Sequence, residues 1–132
     1  MLKKLFIISA LILSLSVFGN EKEPFFNSSK EPVVITQKQP VFTITLQSNP
    51  STGFSWQLKS YDKNLISFVS HKYVPPHNTK LLGAPGYETF TFQAKAGDYR
   101  VNQVGHIVMM YARPWTKNGA TKESFVVIVK AK

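Results

Sequence analysis

From Val33 onward the chain alternates apolar and polar residues with a period of two. In Val41 to Gln47, Phe42, Ile44 and Leu46 fall on one side and Thr43, Thr45 and Gln47 on the other, the pattern of a strand with one face on a core and one in water. Phe54, Trp56 and Leu58 repeat it against Ser55, Gln57 and Lys59. Leu65 to Tyr73, Glu88 to Ala94, Gly105 to Ala112 and Glu123 to Lys130 are further candidates, and Val33 to Thr36 fits a short edge strand. No stretch keeps apolar residues at three-and-four spacing between helix caps, so almost no helix is expected. About seven short strands with turn signals between them predict an all-β, immunoglobulin-like antiparallel β-sandwich spanning residues 33–132. Trp56 is the candidate central core aromatic. The stretch Gly97 to Val104 is long for a strand connection and suggests a bulge or an extended hairpin.

The first 32 residues follow a different pattern. Lys3 and Lys4 precede an apolar run, Leu5 to Phe18, broken only by Ser9, Ser14 and Ser16, and Gly19 follows as a small residue at a cleavage position. Residues 1–19 read as a signal peptide. The run is shorter than the roughly 20 apolar residues that span a bilayer, which favours a cleaved signal over the alternative of an uncleaved membrane anchor, and no stable membrane insertion is expected after cleavage. Residues 20–32, with Glu21, Glu23, Pro24, Ser28, Ser29 and Pro32, are polar and unpatterned and read as a flexible leader. Within them Asn27-Ser28-Ser29 fits a glycosylation acceptor. The exported chain is expected in a periplasm or outside the cell, as a monomer.

Composition narrows the chemistry. The 132 residues contain no cysteine, which excludes disulfides, a thiol nucleophile and cysteine-ligated zinc. Sixteen Lys and Arg against seven Asp and Glu give +9, and loss of Lys3 and Lys4 with the signal lowers this to +7. The lysines are scattered, with no basic run and no RNA-binding aromatic motif, so a nucleic-acid partner is not expected. The chain lacks Gly-x-Ser-x-Gly, His-Glu-x-x-His and any close acidic pair, and an enzyme is not expected. His71, His77 and His106 have no metal-ligand spacing, and no cofactor is implied.

Three connecting segments remain. Asn49-Pro50-Ser51-Thr52-Gly53, followed by Phe54, lies between two clear strands. Pro50 fixes φ, Asn49 can bond to backbone two residues on, and Gly53 allows positive φ, so the loop is stiff although exposed. By turn chemistry alone it reads as a plain hairpin turn. Val74 to Tyr87 contains Pro75-Pro76 and Gly83-Ala84-Pro85-Gly86 and is long enough to be functional or mobile. Its Leu81 and Leu82 either pack under the loop or present an apolar edge to a partner. Tyr111-Ala112-Arg113-Pro114-Trp115 ends a strongly apolar strand, and its Trp is either a core residue at the sandwich end or an exposed anchor.

In order and spacing these segments resemble the chagasin-type family of cysteine-peptidase inhibitors, whose pattern is Asn-Pro-Thr-Thr-Gly, an aromatic and soon a Trp, then Gly-x-Gly-Gly, then Arg-Pro-Trp after a Tyr-containing strand. Here they read NPSTGF with Trp56, GAPG and YARPW, and the likeness runs from about Val33 to Lys130. Ser51 replaces a Thr and keeps the hydroxyl, Phe54 replaces a Tyr, and Pro85 replaces a Gly, removing an N–H and fixing φ. The resemblance implies a reversible, non-covalent inhibitor of papain-like cysteine peptidases that occludes the cleft with three loops. The peptidase-binding residues would be Asn49, Pro50, Ser51, Thr52, Gly53, Phe54, Gly83, Ala84, Pro85, Gly86, Arg113, Pro114 and Trp115. Ser51 and Thr52 would lie over the catalytic cysteine and histidine, with Trp115 against an aromatic wall. The competing class is an exported immunoglobulin-like adhesion or structural binding module, which needs no convergence of these loops.

Overall fold

The computed structural model describes residues 23–77, 83–115 and 120–132. The proposed signal peptide, Leu81 and Leu82 lie outside the described residues. Two four-stranded sheets pack face to face. One has the order β1 (Phe25–Phe26), β3 (Val41–Ser48), β6 (Gly86–Ala94), β5 (Ile66–Val74). The other has the order β2 (Val33–Ile35), β8 (Thr121–Val129), β7 (Gln103–Ala112), β4 (Ser55–Tyr61).

The long strands form where the period of two predicts them, because each must bury one face. β3 turns Phe42, Ile44 and Leu46 inward; β6 contributes Phe90, Phe92 and Ala94, β7 Ile107 and Met109, and β8 Phe125, Val127 and Val129. Phe42 and Phe92 are cross-strand partners and stack with ring centroids 5.6 Å apart, the kind of pair that fixes register as well as filling volume. The core is disulfide-free, as the absence of cysteine requires.

Three features differ from the sequence expectation. The strands of each sheet pair antiparallel except at one edge: β1 runs parallel to β3 and β2 parallel to β8. β1 falls inside the stretch read as a flexible leader; Phe26 packs edge-on against Phe42 at 6.4 Å, and the Ser29 hydroxyl donates to Glu123 of β8. Two residues are too few to show a periodicity, so this strand has no signature in the sequence. Trp56 is not the central core aromatic. It is half-buried on the edge strand β4, where its indole N–H donates to the Gln47 carbonyl at 2.9 Å, and the centre is filled instead by Phe42, Phe92 and Phe125. Residues 95–102 form neither a bulge nor a longer hairpin but a loop closed over Tyr99, whose ring packs on the core.

Topology then places the connections. β3 ends and β4 begins at one pole of the sandwich; β6 begins there and β7 ends there. The eight residues of β3 separate this pole from the other by about 25 Å.

Candidate functional site

The β3–β4 connection is a single 3-10 turn, Pro50–Thr52, between Asn49 and Gly53 at φ 83°. The turn is held from within. Thr52 N–H and its hydroxyl both donate to the Asn49 carbonyl, at 3.1 and 2.6 Å, and Gly53 N–H donates to the Pro50 carbonyl at 2.9 Å. The Ser51 hydroxyl donates to Asn49 Oδ1 at 2.6 Å. Proline at the first turn position and a left-handed glycine at its close are the residues such a turn requires. Pro50, Ser51 and Thr52 are all exposed, so the segment is a rigid projection.

Strand β7 braces that projection from below. The Tyr111 hydroxyl accepts the Asn49 N–H at 3.0 Å, and the Tyr111 ring lies 5.3 Å from Phe54 and 5.0 Å from Trp56. Beyond the end of β7, Arg113 Nε donates to the Thr52 carbonyl at 3.0 Å while its guanidinium sits 4.7 Å over the Phe54 ring. Arg113 therefore braces the neighbouring loop. Trp115 is 72% exposed and belongs to the surface, not to the core. Its indole reaches back over Gly53.

The third segment reaches the same pole from the other sheet. Gly83 has φ 76° and open space around its Cα; Pro85 and Gly83 share with Gln47, Ser48, Asn49 and Tyr111 a shallow recess of about 370 Å³. Ala84 and Pro85 are half-buried. Gly86 is buried as the first residue of β6 and pairs with Ser48. A side chain on Gly86 would run into Tyr73 and approach the Val74 carbonyl to 2.5 Å, so glycine there is demanded by strand packing.

The structure thus brings Asn49 to Phe54, Gly83 to Gly86 and Arg113 to Trp115 to one pole. It also shows supports that sequence reasoning did not single out. Besides Tyr111 these are Gln47 and a buried acid, Glu88. Glu88, on β6 and 3% exposed, accepts the Trp56 N–H at 2.7 Å through Oε2 and lies 2.9 Å from His71 Nε2 through Oε1. It ties the two sheets together directly beneath the β4 end of the first loop. The alternation hinted at it, since Glu88 occupies an inward position two residues before Phe90. Among the described residues no cluster of His, Asp and Glu could hold a metal ion.

Residues 36–129 match the family described as Chagasin family peptidase inhibitor. The chain is 43% identical over 93 residues to Chagasin of Trypanosoma cruzi, a match that covers 67% of this chain and 78% of that protein. Among solved structures, a cysteine protease inhibitor of Entamoeba histolytica superposes with a TM-score of 0.59 at 19% identity, covering 81% of this chain and 94% of the other. Amebosin superposes with a TM-score of 0.59 at 22% identity, covering 84% and 99%. These two share the fold.

Proposed function

The chain belongs to the chagasin family of peptidase inhibitors, and from that premise we propose that it inhibits papain-like cysteine peptidases reversibly, by laying the three loops of one pole along the active-site cleft. It is an inhibitor and not an enzyme. The observation that carries the cleft reading is the joining of the first and last loops: Arg113 Nε bonds to the Thr52 carbonyl while Trp115 covers Gly53. An adhesive module needs no such convergence.

The mechanism follows from stiffness. Ser51 and Thr52, at the tip of the turn, enter the space over the catalytic cysteine and histidine that a scissile peptide would occupy. Because the hydrogen bonds of the turn and its φ-restricted residues hold the backbone folded, no carbonyl of the loop reaches the near-attack geometry that acyl transfer requires. Occupancy blocks the enzyme, with no covalent step. Trp115 offers a large, rigid apolar face to one wall of the cleft, and Gly83 to Pro85 approach the opposite wall. Loops already fixed in the free protein lose little entropy on docking, so a standard interface of roughly 1,600 Å² suffices for tight binding. We place the protein outside the cytoplasm, exported by residues 1–19, and acting as a monomer.

The test is a titration of the protein against a papain-like peptidase with a peptide substrate. Stoichiometric loss of hydrolysis that recovers on dilution supports the reading; full hydrolysis at micromolar excess of the protein overturns it.

A further inference from the structure

The pole opposite the three loops carries a second feature that inhibition does not use. Lys38, Lys95, Lys130 and Lys132 line two adjoining recesses, of about 460 and 180 Å³, that share Gln37 and Lys132. Among the described residues no acidic side chain lines either recess. None of the four lysines forms an ion pair with a described residue. The loop of residues 95–102 also carries Asp98 and Arg100, neither of which lines a recess.

Two observations separate this cluster from scattered surface lysines. First, the backbone at each lysine is fixed: Lys95 N–H donates to the Leu65 carbonyl at 2.8 Å, Lys130 N–H to Ile35 at 2.8 Å and Lys132 N–H to Tyr99 at 3.3 Å. Lys38 sits in a turn closed by Gln39 N–H on the Thr36 carbonyl at 3.2 Å. Second, Gln37 Nε2, at the junction of the recesses, is buried and has no acceptor among the described residues. A buried N–H donor without a partner is unfavourable and is satisfied when an anion supplies the acceptor.

We propose that this pole binds a polysaccharide chain bearing sulfate or phosphate groups, with anionic groups held by the lysines around the two recesses and one of them accepting from Gln37. Two adjoining recesses flanked by separate lysines suit repeated anions along one chain better than a single small ion. No aromatic residue lines either recess, so bases of a nucleic acid would find no stacking platform. The site is concave, whereas membrane attachment favours a protruding apolar face. Binding here leaves the opposite pole, about 25 Å away across β3, free to meet a peptidase.

The experiment measures retention of the protein on immobilised dextran sulfate and its dissociation constant for soluble dextran sulfate at fixed ionic strength. Replacing Lys38, Lys95, Lys130 and Lys132 together by Ala is expected to weaken binding by about tenfold or more and to flatten its salt dependence, since fewer counterions are released. Gln37→Leu, which keeps every charge, is expected to weaken it measurably. A control with the same charge loss elsewhere, Lys59, Lys63, Lys72 and Lys122 to Ala, is expected to bind nearly as the parent does. Equal losses in the two quadruple variants would reduce the interaction to net charge and overturn the proposal. So would binding to phosphatidylglycerol vesicles that matches the dextran sulfate affinity, since the occupant would then be a membrane. Peptidase inhibition by the opposite-pole variant, measured in parallel, reports separately on the loops.

Discussion

The indole of Trp115 lies over Gly53: a Cβ on that glycine would come within 2.8 Å of Trp115 Cη2 and 3.2 Å of Cζ2. Two loops far apart in sequence are therefore seated on each other at a point where only a hydrogen fits. Gly53 also has φ 83°, in the left-handed region that costs an L-residue about 1–2 kcal/mol. Both constraints fall on one residue, so the glycine serves the turn and the contact at once.

Gly53→Ala is expected to displace Trp115 and strain the 3-10 turn together. The melting temperature should drop by the equivalent of about 1–2 kcal/mol, while the inhibition constant rises by more than that strain alone accounts for, because two loops are disturbed. Thermal denaturation and inhibitor titration on the same preparation separate the two effects. An unchanged inhibition constant would show that the contact between the loops is irrelevant to binding.

Trp115→Ala removes a side chain that is 72% exposed and outside the core. The melting temperature should be nearly unchanged, while binding to a papain-like peptidase weakens by about 2 kcal/mol or more, as for a central Trp anchor. Inhibition kinetics measure the loss, and the dissociation rate should carry most of it. A large fall in stability with intact inhibition would assign Trp115 to packing instead.

Much of this arrangement was legible in the sequence because the residues involved have one use. Alternation over Val41–Ser48 and Thr121–Val129 fixes which face is inward, since a shift of one residue would expose Phe42, Ile44, Phe125 and Val127 together. Pro50 and Gly53 announce a stiff turn through φ alone. What could not be read depends on contacts between remote segments. The parallel β1, the descent of Trp56 from the core centre to its edge and the Arg113 bond to Thr52 are set by where the sheets meet. Tyr111 is the clearest case. As a sequence position it belongs to an apolar strand, and only the fold brings its hydroxyl to the Asn49 N–H.

Tyr111→Phe tests that support with a single atom. The ring contacts with Phe54 and Trp56 remain, and the Asn49 N–H loses its acceptor. A loss of about 1 kcal/mol in folding stability is expected, with faster amide exchange at Asn49 and weaker inhibition, since the base of the first loop is no longer pinned. Hydrogen exchange is the discriminating measurement: unchanged protection at Asn49 would mean that the internal bonds of the turn hold the loop without help from β7.

Glu88 offers the last test, because a buried acid can serve stability, loop placement or both. Its two oxygens engage the Trp56 N–H on the opposite sheet and His71 Nε2 on the neighbouring strand, and the N–H belongs to edge strand β4, where no further strand could satisfy it. Glu88→Leu fills similar volume but leaves that N–H and the imidazole without an acceptor, so a destabilisation of about 1–3 kcal/mol is expected. Glu88→Gln keeps one carbonyl acceptor and should lose less. Urea unfolding of both variants gives the ordering through the midpoint, with an unchanged slope showing that the native compactness is kept. If Glu88 acts only by joining the sheets, the molecules that remain folded inhibit as the parent does. If it also sets the height of β4 beneath the first loop, inhibition weakens in Glu88→Leu even where folding is complete, and Trp115→Ala combined with it would then be less than additive. Equal stability and equal inhibition of Leu and parent would remove Glu88 from both roles.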